Sequence, residues 1–193
     1  MSTTVHGYTY DEKLDASPVT LEELEQLKTS VMFTEADRDA LRRAGEILVP
    51  QTEQILDVWY GFIGGTDHLV STFVGADGQP DGDYLAGVRG RFALWIRDLT
   101  ERDFDQQWLD YQNEIALRHT DKKNVTDGVD SPSPHVPLRH LIALIVPVTV
   151  TIRPFLENGD ADADEVEAMY QAWFKAVTLT VALWSQPYAR QTW

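Results

Sequence analysis

The sequence predicts an all-α fold, on three observations. Apolar residues recur at steps of three and four in eight segments between residues 20 and 185, the pattern of helices that bury one face. Several of these segments open on a Thr or Asp with an acidic or amide residue three positions on, a pair that satisfies the first free N–H groups of a helix. The one place where a strand could be argued is the β-branched run 146–152, and its setting among helices makes it helical. With 193 residues, no internal repeat and 43% hydrophobic content, the chain is expected to form one domain over 1–193.

Residues 1–17 carry little periodicity and are read as an N-terminal extension. Thr20 then caps a first helix, with Glu23 at the reciprocal position and Leu21, Leu24 and Leu27 along its face. Thr34 with Asp37 opens a second helix, which runs to about residue 50. The third covers 51–63, with Ile55, Trp59 and Ile63 on one stripe, Leu56 and Tyr60 beside it, and Gly64-Gly65 as its end. Thr66 starts a short helix holding Leu69, Val70 and Phe73, and the Gly-, Asp- and Pro-rich stretch 75–83 is a loop. A helix over 84–99 follows, with Leu85, Val88, Phe92 and Trp95 on its face. Asp103 with Gln106 is expected to cap the next, whose stripe Phe104, Trp108, Tyr111, Ile115 and His119 ends on a histidine. Residues 120–134 are polar and read as a connection. An apolar helix over 137–156, kinked or relaxed at Pro147, and a last helix over 163–185 complete the chain.

Composition removes several classes of function. A net charge of -15, from 31 acidic against 16 basic residues, repels phosphate backbones and argues against nucleic-acid binding. With no cysteine there is no disulfide, thiolate metal site, iron–sulfur cluster or covalent haem attachment. The N-terminus lacks the charged and apolar parts of a secretory signal, so a cytoplasmic location is expected. The longest uncharged apolar stretch, 141–152, is shorter than the roughly 20 residues that span a bilayer and contains a proline, so no membrane span is expected.

The residues that could carry chemistry are few. No two histidines lie at i, i+4, no HExxH run occurs, and neither a G-x-S-x-G turn nor a phosphate-binding Gly-rich loop is present. Glu114 and Asp110, four apart, read as repelling surface neighbours. His119 differs from the other four histidines because it ends an apolar stripe directly before a loop. Judged singly it is an ordinary core histidine, and Trp59, Tyr60 and Phe92 are ordinary aromatic core. The same group also suits an iron porphyrin: a neutral imidazole ligates the metal, and a buried phenol supplies a hydrogen bond that needs a partner. Val88, Leu141, Leu144 and Val148 form apolar stripes usable against a porphyrin or another helix. Arg89 and Arg91 read as surface pairs more readily than as partners of haem propionates.

Three segments go further. The runs 56–62 (LDVWYGF), 108–119 (WLDYQNEIALRH) and 169–176 (MYQAWFKA), with Gly7-Tyr8-Thr9-Tyr10 in the extension, resemble the protoglobins, single-domain members of the globin-coupled sensor lineage. The resemblance covers essentially the whole chain and is loosest over 120–134. It implies a globin-like helical sandwich with an extra N-terminal helix, around non-covalent haem b. It implies His119 as the proximal iron ligand, with Trp59, Tyr60 and Phe92 in the distal pocket. It further implies deep burial of the haem under the extension and a homodimer built through the last two long helices, here 137–156 and 163–185. Reversible binding of O2, CO or NO for gas sensing, storage or scavenging is then the leading expectation, with any signal passed to a separate partner. A haem enzyme acting on NO or on reactive nitrogen or oxygen species with an external reductant is the alternative; steady-state NO consumption distinguishes it. A haem-free helical interaction module is the third, and an absorption spectrum separates it from both.

Overall fold

The computed structural model describes residues 5–128 and 133–189. Among these residues ten α-helices and three short 3-10 turns account for the regular structure, and the one β-bridge, Val74 to Pro80, only closes a loop. The helices are α1 (Leu21–Ser30), α2 (Glu35–Leu48), α3 (Thr52–Gly64), α4 (Asp67–Val70), α5 (Gly82–Glu101), α6 (Gln106–Arg118), α7 (Lys123–Asp127), α8 (Leu138–Val150), α9 (Arg153–Leu156) and α10 (Ala163–Trp184). The β-branched run 146–152 forms no strand: it is helical through Val150 and turns at Thr151–Ile152.

Capping explains most of the boundaries. Thr20 with Glu23, and Thr34 with Asp37, form complete capping boxes, each side chain accepting from or bonding to the other's backbone N–H. Asp162 and Glu165 form a third at the start of α10. The cap of α6 departs from expectation: Asp105, not Asp103, accepts the N–H of Trp108 at 2.9 Å. Asp103 instead meets Arg42 at 2.7 Å, and Phe104, left outside the helix, stacks on Trp108 at 4.1 Å. Two aspartates two residues apart offered two registers, and the competing arginine on α2 takes one of them. Asp81 accepts from Tyr84 and starts α5 two residues before the expected position. Gly65 ends α3 with φ of -85°, so that helix closes without a left-handed glycine.

Two further differences concern the second half. The connection 120–134 contains a short helix, α7, ended by Gly128 at φ 64°; residues 129–132 lie outside the described set. The apolar segment expected as one helix over 137–156 is divided. Pro147 sits inside α8, but the break falls at Thr151–Ile152, because Pro154 in the first turn of α9 has no N–H to continue the ladder. Leu138–Leu156 is long and apolar enough by composition to cross a membrane. The unbroken part, α8, has 13 residues.

The core forms around α10, which packs against α2, α6 and α8, while α5 packs on α2 and α3. Trp108, Trp173, Leu41, Leu48, Leu56 and Leu156 are among the fully buried side chains; each contributes roughly 1.5–3 kcal/mol of transfer free energy. Gly45 lets α2 approach α5: a Cβ there would stand 2.7 Å from the Thr100 hydroxyl. Arg38, also buried, crosses the same contact and donates to the terminal carbonyls of α5 at Leu99 (3.1 Å) and Thr100 (3.2 Å) and to Arg102. Lys175 on α10 pairs with Asp37 on α2 at 2.6 Å.

Candidate functional site

These packings leave a cavity of about 240 Å³. A water needs only ~10–15 Å³, so the space is sized for a ligand rather than for trapped solvent. All eight residues singled out in the sequence line it: His119, Trp59, Tyr60, Phe92, Val88, Leu141, Leu144 and Val148. They come from the C-terminus of α6, from α3, from α5 and from α8, so four separate amphipathic stripes converge on one space.

His119 stands at the C-cap of α6. Its Nδ1 lies 2.8 Å from the carbonyl of Ile115; a carbonyl only accepts, so Nδ1 carries the proton and donates. Nε2 is therefore the unprotonated nitrogen, and no described residue bonds to it. Burial pushes the imidazole down to about 4, so the ring is neutral at physiological pH, the state in which it ligates a metal. The Trp184 ring lies against it at 4.9 Å. The carbonyl of His119 accepts from the N–H of Val136 at 2.8 Å and lies 3.1 Å from the Tyr188 hydroxyl, whose proton is shared with the carbonyl of Val136 at 2.5 Å.

The wall built by α3 and α5 is organised differently. Trp59, 3% exposed, spends its indole N–H on the Thr151 hydroxyl at 2.7 Å, which ties α3 to the break after α8. Its ring stacks against Phe92 at 4.7 Å, and Phe92 meets Trp95 at 5.3 Å. Trp59 thus offers the cavity a ring and no donor. Tyr60 is the reverse case. No described residue bonds its hydroxyl, and burial raises its pKa well above the usual phenol value, so it stays a protonated donor. The two arginines of α5 divide. Arg89 stays at the surface, paired with Glu53 (2.8 Å) and Asp57 (2.9 Å), with its guanidinium over the Tyr60 ring. Arg91 lines the cavity and donates to the backbone carbonyl of His6 at 2.9 Å.

Several lining residues were not singled out in the sequence. Trp184, Val181 and Val177 form a stripe on α10 at helical spacing, which was legible but indistinguishable from core. Arg118 and Lys123 were not. Arg118 bonds Gly7, Thr9 and Glu114, and Lys123, 2% exposed, places its ammonium 5.0 Å over the Tyr84 ring. Among the described lining residues there are three such cations and no carboxylate, in a chain of net charge -15. Glu114 and Asp110 form no dyad: Glu114 pairs with Arg118 and Lys122, and Asp110 accepts from Ser17 and Gln106.

An apolar cavity that holds the neutral imidazole of His119, the hydroxyl of Tyr60 with no bond to a described residue, and a basic portion has the chemistry of a site for an anionic, metal-bearing group. Residues 20–193 match the sequence profile of the Protoglobin family. The chain belongs to the protoglobin family. A search of curated proteins finds no match. Family membership makes this a globin-type protein that binds haem and a gaseous ligand. The residues present fit that group. Nε2 of His119 is available to iron, the walls are apolar and aromatic, and Arg91, Arg118 and Lys123 supply charge suited to carboxylate side chains of the cofactor.

Gly7 shows how the N-terminal extension is fitted to this site. Its φ is 74°, and a Cβ there would stand 2.8 Å from the Arg91 guanidinium. Only glycine combines that backbone with that approach.

Proposed function

We propose that this protoglobin holds haem b non-covalently through Nε2 of His119 and reversibly binds O2, CO or NO beside Tyr60, serving gas sensing, storage or scavenging in the cytoplasm. The observation that carries the reading is the division of labour in one cavity. The imidazole is neutral, with its Nδ1–H committed to Ile115, and the phenol hydroxyl is left without a partner among the described residues. When bound, the haem iron supplies the affinity for a diatomic gas. The chain's own residues do the rest. His119 is oriented by Ile115, by Trp184 and by the bonds on its carbonyl. Trp59 and Phe92 limit the space, and Tyr60 donates a hydrogen bond to a ligand that gains negative charge. The absence of cysteine excludes a thiolate axial ligand and thioether attachment.

A homodimer belongs to the same proposal. Ile142, Val146 and Val150 recur every four residues on α8 and are 54%, 61% and 54% exposed, and Phe174 on α10 is 44% exposed. An apolar stripe of that length on two neighbouring helices favours a second copy over solvent.

Absorption spectra of the ferric, ferrous and CO-bound forms of the purified protein test the reading. A Soret band that shifts on reduction and again on CO addition is expected. A protein that takes up no haem on reconstitution would sink it.

A further inference from the structure

Beside the cavity lies a tyrosine cluster that gas binding does not use. Tyr111 lines the cavity from α6. Tyr8 of the extension meets it edge-on at 5.5 Å, Tyr10 meets it at 5.1 Å, and Tyr8 and Tyr10 stack at 6.3 Å. The two outer rings differ in what surrounds them. The Tyr8 hydroxyl lies 3.0 Å from both oxygens of Asp98, a carboxylate only 2% exposed. Tyr10 has the Arg102 guanidinium 4.2 Å over its ring. Arg102 also neighbours the Tyr8 hydroxyl and places its Nε 3.4 Å from Asp98, so what sets Tyr8 apart is the carboxylate its hydroxyl bonds. A cation over a ring opposes removal of an electron, whereas a hydrogen-bonded carboxylate that can take the phenolic proton assists it. Burial lifts Asp98 to about 6, so it is ionised, and able to accept, at neutral pH.

The tryptophans around the cavity lack such an acceptor. Trp59 donates to a hydroxyl, Trp173 to the carbonyl of Val148, and Trp184 to the amide oxygen of Gln112. The buried Nε1 of Trp95 has no partner among the described residues. None of these oxygens takes up a proton readily, so oxidation of those rings leaves an uncompensated positive charge in an apolar space. Tyr8 can lose electron and proton together and remain neutral. It is also partly exposed.

We propose that Tyr111 and Tyr8 form an outlet for oxidising equivalents, ending in a phenoxyl radical on Tyr8 with its proton on Asp98. The inference rests on haem being held by His119, and its co-reactant is hydrogen peroxide. Reduction of one peroxide to two waters consumes two electrons and two protons. Each electron leaves Tyr8 by way of Tyr111, and the phenolic proton passes to Asp98 as the O–H bond breaks. A small phenol at the surface then gives a hydrogen atom to Tyr8, restoring its O–H bond, and Asp98 releases its proton to balance the water formed. The net reaction converts two phenols and one peroxide to two phenoxyl radicals and two waters.

The test uses haem-loaded full-length protein treated with hydrogen peroxide in the presence of a nitrone spin trap. Radical adducts are mapped by peptide mass spectrometry, and the Soret band and far-UV circular dichroism are recorded on each sample. The expected result is an adduct on Tyr8 that Tyr8→Phe removes and Tyr10→Phe preserves. Asp98→Asn, which keeps the shape of the side chain but takes up no proton, is expected to cut the Tyr8 adduct severalfold with the Soret band unchanged. A Soret band with no Tyr8 adduct, or an equal adduct yield in Asp98→Asn, overturns this proposal alone. A wild-type protein without a Soret band overturns it together with the haem assignment.

Discussion

The two walls of the cavity are held by different forces. The imidazole wall is held by direction: Nδ1 of His119 is fixed to Ile115, and its carbonyl meets the N–H of Val136 and the hydroxyl of Tyr188. The phenol wall is held by contact, through Trp59, Phe92 and Trp95 ring on ring at 4.7 and 5.3 Å, with one polar tether from Trp59 to Thr151. Hydrogen bonds set angles, which a metal ligand needs. Ring packing sets a volume and leaves the Tyr60 hydroxyl uncommitted, which a site for a small transient ligand needs. His119→Ala breaks the comparison at its strongest point. It is expected to abolish the native Soret band while circular dichroism stays helical, because α6 is capped at its other end by Asp105. An unchanged Soret band in that variant would remove His119 from the iron.

The extension ties the two walls together. His6 accepts from Arg91 on α5, while Gly7 and Thr9 accept from Arg118 on α6, and Tyr8 is pinned to Asp98. Burial raises Asp98 to about 6, with Tyr8 and Arg102 opposing the rise, against ~3.9 in an unfolded chain. The folded state therefore holds this proton more tightly. The stability it contributes is complete below a pH of ~3.9 and is lost as pH rises through about 6. His119, pushed down to about 4 by burial, acts in the opposite sense in the haem-free protein, since its neutral form favours folding above a pH of ~6.5. The difference between wild type and Asp98→Asn isolates the carboxylate. Urea denaturation should show that difference falling by about 2 kcal/mol between about pH 4.5 and about pH 7.5. A difference that stays flat over this window would mean that Asp98 is not perturbed by its burial.

Much of this was legible from the chain. The boxes at Thr20 and Thr34 fixed where α1 and α2 begin because both partners are local. The stripe ending on His119 showed which face of α6 is buried, since periodicity reports burial directly. What failed depended on distant partners. Asp103 has the sequence of a cap, but Arg42 on α2 engages it, and no local pattern reveals that. Lys123 looks like a solvated charge in a polar connection; its place over Tyr84 depends on how α7 folds back against α5. Arg91 and Arg118 are arranged around a backbone segment about a hundred residues away in sequence. Periodicity identified the apolar walls, whereas the charged part of the cavity arises only on folding.

Smaller changes to the phenol wall sharpen the contrast. Trp59→Phe keeps a ring against Phe92 but removes the donor to Thr151. The Thr151 hydroxyl still bonds the carbonyl of Pro147 at 2.6 Å, so no buried group is orphaned. A loss of about 1–2 kcal/mol in global stability is expected from the bond and the lost volume, read by urea denaturation. A loss beyond about 3 kcal/mol would show that this wall, too, depends on directional bonding.

Tyr60→Phe is the gentlest change and the sharpest probe. The hydroxyl bonds no described residue, so its removal should leave stability within about 0.5 kcal/mol of wild type. Its predicted role appears only when a ligand is present. A hydrogen bond worth about 1 kcal/mol corresponds to an O2 dissociation rate about fivefold faster in the variant. CO gains less negative charge than O2 and accepts more weakly, so its dissociation should change less. Stopped-flow displacement of each gas makes the comparison. Equal acceleration of both would point to a steric effect of the phenol rather than donation. An unchanged O2 off-rate would leave the distal wall with no directional contact to its ligand at all.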